Sequence, residues 1–236
     1  MEPQAAATVM IARESAGGIE VFMLRRSSRS AFMPDVFVFP GGRVEAQDGA
    51  AVARGLLAAA APGVDPAWVF AAARETFEEC GLLFAERVAE AAALAAARAR
   101  VAAGELTFAA LLGEFGTRVD AGALHYFSRW VTPPLEARRF DTHFFVARAP
   151  AGQAACADAR ETHDGIWIAP REALARRAAG SFALIFPTIK HLERIAAFAS
   201  PDALLRYSAQ KAVRTVMPEI DAQRALIIPP ALEGVW

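Results

Sequence analysis

The chain has 236 residues, of which 55% are hydrophobic and 22% charged, and its formal net charge is −1. This composition excludes a disordered chain, and the near-neutral charge gives no general attraction for nucleic acid or for an anionic membrane. No apolar run approaches the roughly 18 residues of a membrane-spanning helix. At the N-terminus, Glu2 stands where a signal peptide would carry positive charge. The sequence therefore predicts a soluble cytoplasmic protein with neither nucleic acid nor membrane as a partner.

The two cysteines, Cys80 and Cys156, are too few for a disulfide framework or for a four-ligand zinc site. Both are predicted to be small buried thiols in a reducing compartment.

The first part of the chain is predicted to form strands. Residues 6–13 and 19–25 have strand character around an "ESAGG" turn, which is typical of a hairpin. Residues 35–40, "DVFVFP", form a short buried strand that a Pro-Gly-Gly turn ends.

Helices are predicted next. Asp65 suits an N-cap and Pro66 the first helical position of a helix that ends near Gly81. Residues 85–103 are predicted to form one alanine-rich helix, and residues 107–115 a shorter one.

The remaining chain alternates strand and helix patterns before an extended, proline-rich tail. Strands are predicted at 124–132, 140–148 and 164–170, and helices at 171–178, from Pro187 onward and at 202–211. Because no repeat and no Gly/Ser linker interrupts this order, one α/β domain over residues 1–236 is the economical interpretation.

The helix that ends near Gly81 carries three carboxylates on one face. Glu75, Glu78 and Glu79 have i, i+3, i+4 spacing, which lets their side chains converge on one cation. Oxygen ligands alone favour Mg²⁺ or Mn²⁺, which commonly also bind substrate phosphates. The alternative is an ordinary solvated acidic face. The opposite arc is predicted to face the core through Phe70, Ala73, Phe77 and Cys80.

The residues around this helix resemble the box of the Nudix hydrolase superfamily, G-x5-E-x7-R-E-U-x-E-E-x-G-U, where U is apolar. The first half is "FPGGRVE", in which Gly42 opens the box, and Asp48 stands where the family has its first Glu. Between Asp48 and Arg74 lie 25 residues, 18 more than in the family pattern. The second half matches at every fixed position, namely at Arg74, Glu75, Phe77, Glu78, Glu79, Gly81 and Leu82.

The resemblance implies an α/β/α sandwich with a mixed β-sheet and extra C-terminal helices. It places a box insertion at about 49–66 that loops out, a helical insertion at about 85–117 and a C-terminal helical extension at about 187–236. Asp48, although shorter than Glu, is expected to pair with Arg74 or to accept a hydrogen bond.

The resemblance also implies roles for the box residues. Glu75, Glu78 and Glu79, with the carbonyl of Gly42, would bind Mg²⁺ or Mn²⁺, and Arg74 would orient the carboxylates. We further expect Gly42 to lie beside Glu78 and Glu79 once the fold has closed the insertion.

A further carboxylate is often supplied in this family by a loop before a late tryptophan strand. Glu161, six residues before Trp167, is the candidate general base or extra ligand. His163 and Asp164 are weaker candidates, and the alternative for Glu161 is an exposed loop residue.

Arginines outside the box are candidate substrate contacts. Arg138 and Arg139 could hold phosphates, although an ion pair of Arg139 with Asp141 is the favoured alternative. Arg26, in an arginine-rich stretch before the box, could bind a further phosphate, or could be a solvated loop residue.

The interrupted box is similar to that of the Nudix branch containing coenzyme A (CoA) diphosphatases. The function implied is metal-dependent hydrolysis of a diphosphate linkage in a nucleotide derivative, with CoA or acyl-CoA as the expected substrate. Alternatives are ADP-ribose, NADH or another nucleoside diphosphate derivative, a non-catalytic domain that senses a nucleotide, and a purely structural cation site. The resemblance is compatible with a homodimer.

Overall fold

The computed structural model describes residues 2–28, 33–58, 63–158 and 162–236, with only the backbone of residues 162 and 163. Within these ranges, no helix combines the length and apolarity that crossing a membrane requires.

The described chain alternates strands and helices. Its strands are β1 (Gln4–Ser15), β2 (Gly18–Arg26), β3 (Phe37–Val38), β4 (Gly41–Arg43), β5 (Leu57–Ala58), β6 (Val119–Asp120), β7 (His125–Val131), β8 (Phe140–Arg148), β9 (Thr162–Ile168), β10 (Thr215–Val216), β11 (Glu219–Ile220) and β12 (Leu226–Ile227). Its α-helices are α1 (Ala46–Ala53), α2 (Pro66–Cys80), α3 (Ala91–Ala102), α4 (Phe108–Glu114), α5 (Pro170–Ala178), α6 (Phe186–Ile195) and α7 (Pro201–Gln210). Short 3-10 helices lie at Ala121–Ala123 and Pro230–Leu232.

The main sheet is mixed and has β1 near its centre. The strand order is β10-β7-β8-β1-β2-β3, while β4 also pairs with β1 and β9 with β2. β1 and β2 form the predicted antiparallel hairpin, and β1 runs parallel to β8. The Pro-Gly-Gly turn is itself a strand, because Gly41 pairs with Thr8 and Gly42 with Ala7. This pairing fixes the first half of the box on the central strand.

β1 is buried on both faces. Side chains alternate along a strand, so Ala7, Val9 and Ile11 pack in one core with α2, while Met10 and Ala12 pack in a second core with α6 and α7. A strand covered on both faces is mostly apolar, as β1 is over residues 5–12. Helices on both sides of a mixed sheet confirm the predicted α/β/α class.

The box insertion begins as ordered structure, so its prediction as a loop was wrong there. Asp48 lies in α1, where its carboxylate accepts a hydrogen bond from the backbone N–H of Glu45 and helps to begin that helix. After α1, β5 pairs in parallel with β6. The pairing depends on a strand about 60 residues further along, so the local pattern gave no sign of it.

Two other boundaries were also wrong. The alanine-rich helix begins at Ala91, not at residue 85, because Ala85 bridges Val119 and the Glu86 N–H binds the Arg118 carbonyl. The C-terminal extension is helical only as far as Gln210 and continues with short strands and a 3-10 turn. Pro218 and Pro229 in that segment lack the N–H that the interior of a helix needs.

The two cysteines differ. Cys80 is buried as predicted, and its thiol contacts the Thr76 carbonyl, whereas Cys156 is exposed and corrects the expectation of two buried thiols.

His191 is a fully buried histidine whose hydrogen bonds define its tautomer. Nδ1 lies 2.7 Å from the Pro187 carbonyl, which can only accept, so Nδ1 carries the proton. Nε2 therefore accepts from the Ser128 hydroxyl, also at 2.7 Å. Burial lowers the pKa of His191 to about 3, with the nearby charges of Lys211 and Arg194 acting in the same direction.

We expect this histidine to make the fold sensitive to acid. Because its folded-state pKa of about 3 lies below the ordinary value, the unfolded chain binds the proton first, and stability falls as the pH drops from about 6.5 toward 3. The largest slope from one such group is about 1.4 kcal/mol per pH unit. Denaturant unfolding at a series of pH values should therefore show a flatter pH dependence for His191→Gln, even if that variant is less stable at pH 7. Equal slopes for the two proteins would contradict this role.

Candidate active site

The acidic helix α2 has the predicted ends. The Asp65 side chain accepts the Ala67 N–H, Pro66 occupies the first turn, and Gly81 ends the helix in a left-handed conformation with φ of 77°. Only glycine adopts that conformation without steric cost. The predicted core stripe is confirmed, because Phe70, Ala73, Phe77 and Cys80 are all buried. The opposite face therefore presents the carboxylates.

Arg74 joins both halves of the box, and each of its five N–H groups has an acceptor. Nε and Nη2 bind the two oxygens of Asp48 at 2.8 and 3.0 Å, and Nη2 also binds the Arg43 carbonyl at 2.9 Å. Nη1 binds Glu75 at 2.9 Å and Glu78 at 3.2 Å. The expected pairing of Asp48 with Arg74 is confirmed, in the bidentate form that a guanidinium fork favours.

This arrangement is buried. Arg74 is 4% exposed and Asp48 is 0% exposed. Burial alone would lower the pKa of Arg74. The hydrogen bond to Asp48 and the negative charges of Asp48, Glu75 and Glu78 act in the opposite direction and outweigh burial, so the pKa of Arg74 is raised. The guanidinium is permanently charged and holds the carboxylates in place.

The glycine turn lies directly against the carboxylates of α2. The Gly41 N–H donates to Glu79 at 2.8 Å. A Cβ on Gly42 would lie 2.5 Å from the Glu75 carboxyl carbon. The turn therefore meets the acidic helix as predicted, but the neighbour of Gly42 is Glu75, and Gly41 is the residue that binds Glu79. Only the fold decides this pairing, since it depends on the register of β4 on β1.

Burial also changes the acidity of the carboxylates. It raises the pKa of Glu75 to about 7, with Arg74 opposing the shift and Glu78 adding to it. Burial raises the pKa of Glu78 as well, again against the effect of Arg74. Crowded, partly desolvated carboxylates are stabilised by a cation.

The donor chemistry of this face fits a hard divalent cation. Carboxylates and a glycine carbonyl are all oxygen ligands, and the absence of a Cβ at Gly42 lets the Glu75 carboxylate lie directly against the turn. In the described part of the chain, however, no three His, Cys, Asp or Glu side chains are grouped as metal ligands are. Glu75 and Glu78 share Arg74, and Glu79 is turned to Gly41. Binding would need rotation of these flexible side chains.

Arg98 supports the end of α2 and was not recognised in the sequence. Its Nη2 donates to the carbonyls of Glu78 and Glu79 at 3.2 and 2.8 Å, and to that of Cys156 at 2.9 Å. A cation that binds the last carbonyls of a helix is favourable. One arginine in an alanine-rich helix gives no sequence signal for this contact.

A cavity of about 270 Å³ adjoins the glycine turn on the side of the second core. Arg26 and Arg138 both line it, together with Glu136 and Gly41. Its aromatic lining residues are Phe39, Trp130, Phe140, Phe144 and Phe186. Two of the three predicted substrate-binding arginines are thus brought together at one cavity.

The third arginine has a different environment. Arg139 donates to the Thr132 carbonyl at 3.1 Å and is not among the described residues that line the cavity. The predicted ion pair of Arg139 with Asp141 was wrong, because Asp141 binds Arg129 at 2.6 and 2.8 Å. Arg129 and Asp141 are diagonal neighbours across β7 and β8, because the register pairs Asp141 with Val131, two residues beyond Arg129. Arg139 precedes β8.

An open groove of about 800 Å³ lies at the C-terminal end of the acidic helix, between α3 and the chain at 151–158. Glu78 and Arg98 line it, so it begins at the carboxylate cluster.

The candidate base Glu161 lies outside the described residues, as does the side chain of His163. Asp164 is 3.8 Å from Arg25, a distance that describes a loose surface pair.

Comparison with known proteins matches the chain to one family. A family model described as the NUDT19 Nudix domain matches residues 55–195, more than half of the chain. The chain belongs to the Nudix hydrolase family. The matched range includes α2 and begins after the first half of the Nudix box, which the contacts of Arg74 and Gly41 nevertheless join to α2.

Individual Nudix proteins are similar over most of the chain. The acyl-coenzyme A diphosphatase NUDT19 of Gallus gallus is 31% identical, over 82% of this chain and 65% of its own length. The Homo sapiens protein of the same name is 28% identical, over 84% of this chain and 66% of its own. The crystal structure of a Nudix hydrolase from Alicyclobacillus acidocaldarius has a TM-score of 0.78 at 28% identity, covering 87% of this chain and 96% of that one.

The chain spans slightly under two thirds of the length of the curated relatives it matches. Nudix hydrolases generally need divalent metal ions.

Alanine substitutions at the two glycines should have different effects. At Gly41, a Cβ would lie 2.3 Å from the Ala7 carbonyl oxygen in a backbone with φ of +154°, so we expect Gly41→Ala to cost roughly 2–4 kcal/mol of stability. At Gly42 the three atoms nearest to the Cβ all belong to the end of the flexible Glu75 side chain. Gly42→Ala should therefore keep the fold and lower metal affinity about 10- to 100-fold. Denaturant unfolding measures the stability of both variants, and Mn²⁺ titration measures their metal affinity. Similar stability losses at the two sites would contradict this distinction.

Proposed function

We propose that this chain is a divalent-metal-dependent hydrolase that cleaves the diphosphate linkage of a nucleotide derivative, with CoA or acyl-CoA as the substrate. The observation that carries the proposal is the Arg74 network, which draws Asp48 from the first half of the box against Glu75 and Glu78 from the second. An insertion of this length would otherwise leave the two halves unrelated. The names of the NUDT19 relatives support CoA substrates in particular.

Glu75, Glu78 and Glu79, with the Gly42 carbonyl, are the proposed ligands of Mg²⁺ or Mn²⁺. A bound divalent cation would supply positive charge for the phosphate oxygens and make water more acidic. Arg74 would keep Glu75 and Glu78 on one side of the helix, and the Gly41 N–H would hold Glu79 beside the turn. Arg98 would fix the backbone from which Glu78 and Glu79 project.

The proposed reaction is a simple hydrolysis. A water oxygen forms a bond to one phosphorus, the bond from that phosphorus to the bridging oxygen breaks, and the proton lost by water is taken up by a carboxylate. Glu161 remains the proposed base, because the family resemblance places it before the strand of Trp167. Arg26 and Arg138 are proposed to bind substrate phosphate from the cavity beside Gly41. Arg139 is the weaker candidate.

The test is a substrate panel with Mg²⁺ or Mn²⁺ that includes CoA, an acyl-CoA, ADP-ribose, NADH and dinucleoside polyphosphates. We expect the highest kcat/KM for CoA or acyl-CoA, with products separated by chromatography. Preference for ADP-ribose or NADH would keep the hydrolase and correct the substrate. Binding without turnover on any compound would overturn the proposed activity in favour of a nucleotide-sensing domain.

A homodimer and a cytoplasmic location remain predictions. Light scattering on the purified chain would test the first.

A further inference from the structure

Two cavities adjoin the carboxylate cluster of α2, and their linings have different chemistry. The cavity of about 270 Å³ beside the glycine turn, here called the aromatic cavity, includes Gly41, whose N–H binds Glu79. The groove of about 800 Å³ between α3 and the chain at 151–158, here called the α3 groove, includes Glu78 itself. A diphosphate held by these carboxylates would therefore lie next to both cavities, which offers one cavity to each of the two groups that it joins. This geometry rests on the proposed function and extends it to the orientation of the substrate.

The aromatic cavity suits a nucleobase. Bases stack on aromatic rings, and five aromatic side chains line this cavity of about 270 Å³. Trp130 is 3% exposed, and its indole Nε1 has no hydrogen-bond partner within the described chain. An acceptor atom of a base would satisfy that donor. Among the described charged residues of the lining, Arg26 and Arg138 outnumber Glu136, which favours an additional phosphate.

The α3 groove suits a different group. Its described lining includes no aromatic residue, so a base would find no stacking surface there. Its charged lining residues are Glu78, Glu90 and Asp158 against Arg98, which disfavours a further anion. The groove follows α3 from Ala91 to Ala102, a distance of roughly 16 Å at 1.5 Å per residue. That length suits an extended chain.

We propose that the substrate lies across α2 with a phosphorylated nucleoside in the aromatic cavity and a neutral, flexible chain in the α3 groove. CoA has this division, with an adenosine 3′-phosphate on one side of its diphosphate and an acylated or free pantetheine arm on the other. The Arg98 contacts to α2 and to Cys156 hold the two walls of the groove together at its catalytic end.

The test fills each cavity separately and measures binding of each half of the substrate. Ala95 and Ala99 are exposed and line the groove, while Ala96 is exposed on the same helix and is not among the described lining residues. Ala95→Trp and Ala99→Trp are compared with Ala96→Trp as the matched control. Thr142→Trp fills the aromatic cavity. The probes are 4′-phosphopantetheine and adenosine 3′,5′-bisphosphate, with binding measured by calorimetry in Mg²⁺.

We expect Ala95→Trp and Ala99→Trp to weaken 4′-phosphopantetheine binding by about tenfold or more and to leave adenosine 3′,5′-bisphosphate binding unchanged. Thr142→Trp should have the reverse effect, and Ala96→Trp should match the wild type in both. Thermal unfolding identifies any variant that fails to fold. If one of the two groove variants, Ala95→Trp or Ala99→Trp, does not fold, the other one provides the test of the groove.

The proposed orientation would be overturned if the groove variants weakened adenosine 3′,5′-bisphosphate binding instead, or if they weakened the binding of both probes equally. Because binding is measured without turnover, an inactive wild type that still shows the expected pattern would contradict the hydrolase proposal and keep the orientation.

Discussion

Replacing Glu78 by glutamine is expected to lower kcat by about 10²–10³-fold while leaving the fold intact. The substitution removes a charge from the proposed metal ligands and changes the shape of the side chain very little. The Glu78 side chain is 34% exposed, and its one contact with Arg74 is the longest of that network, at 3.2 Å. Steady-state kinetics, Mn²⁺ titration and thermal unfolding together separate loss of chemistry from loss of structure.

Glu114→Gln is the matched control. Glu114 also lies on a helix and pairs with an arginine, Arg100, at 2.8 Å, but it is exposed and belongs to no part of the proposed site. We expect it to keep full activity. Unchanged kcat and metal affinity in Glu78→Gln would exclude Glu78 from the metal site.

Replacing Asp48 by alanine is expected to cost roughly 3–5 kcal/mol of stability, because it leaves the buried charge of Arg74 without its bidentate partner. Arg74 would keep its contacts with Glu75, Glu78 and the Arg43 carbonyl, so we expect the lower end of this range. Its guanidinium would no longer be held by the side chain of Asp48, and the positions of Glu75 and Glu78 would be less well defined. We therefore expect activity to fall as well. The measurement is denaturant unfolding, with Asp65→Ala as a comparison. Asp65 caps the same helix that Arg74 belongs to, and loss of a cap costs about 1 kcal/mol.

A double-mutant cycle with Arg74→Met makes this test specific. Removal of both charges leaves neither one buried alone, so the double variant should be less destabilised than the sum of the single ones. Additive effects would show that the two residues do not act as a pair.

Much of the fold follows from local pattern. The β1–β2 hairpin, β8, the ends of α2 and the core face of α2 could be predicted because alternation, capping residues and helical spacing act over a few neighbouring residues. The segments whose structure was predicted wrongly depend on contacts with residues far away in the sequence. Ala85 is held by Val119, and β5 by β6, so neither has the structure that its own sequence favours.

The candidate site divides in the same way. Glu75, Glu78 and Glu79 could be placed on one helix face from their spacing, and Arg74 and Asp48 could be paired from the family pattern. The contacts of Gly41 with Glu79 and of Gly42 with Glu75 required the register of β4 on β1. The ion pair of Asp141 likewise depended on the register of β7 and β8, which places Arg129 diagonally across from Asp141 and leaves Arg139 outside the paired strands.

The sequence by itself determined the acidic helix, the composition of the Nudix box and the class of chemistry, because these depend on residue type at short spacing. Only the tertiary structure decided what surrounds the helix. Arg98 reaches the end of α2 from the helical insertion, and two cavities with different linings adjoin the carboxylate cluster. Such surroundings are assembled from strands and helices far apart in the chain, and no local pattern specifies which of them will meet.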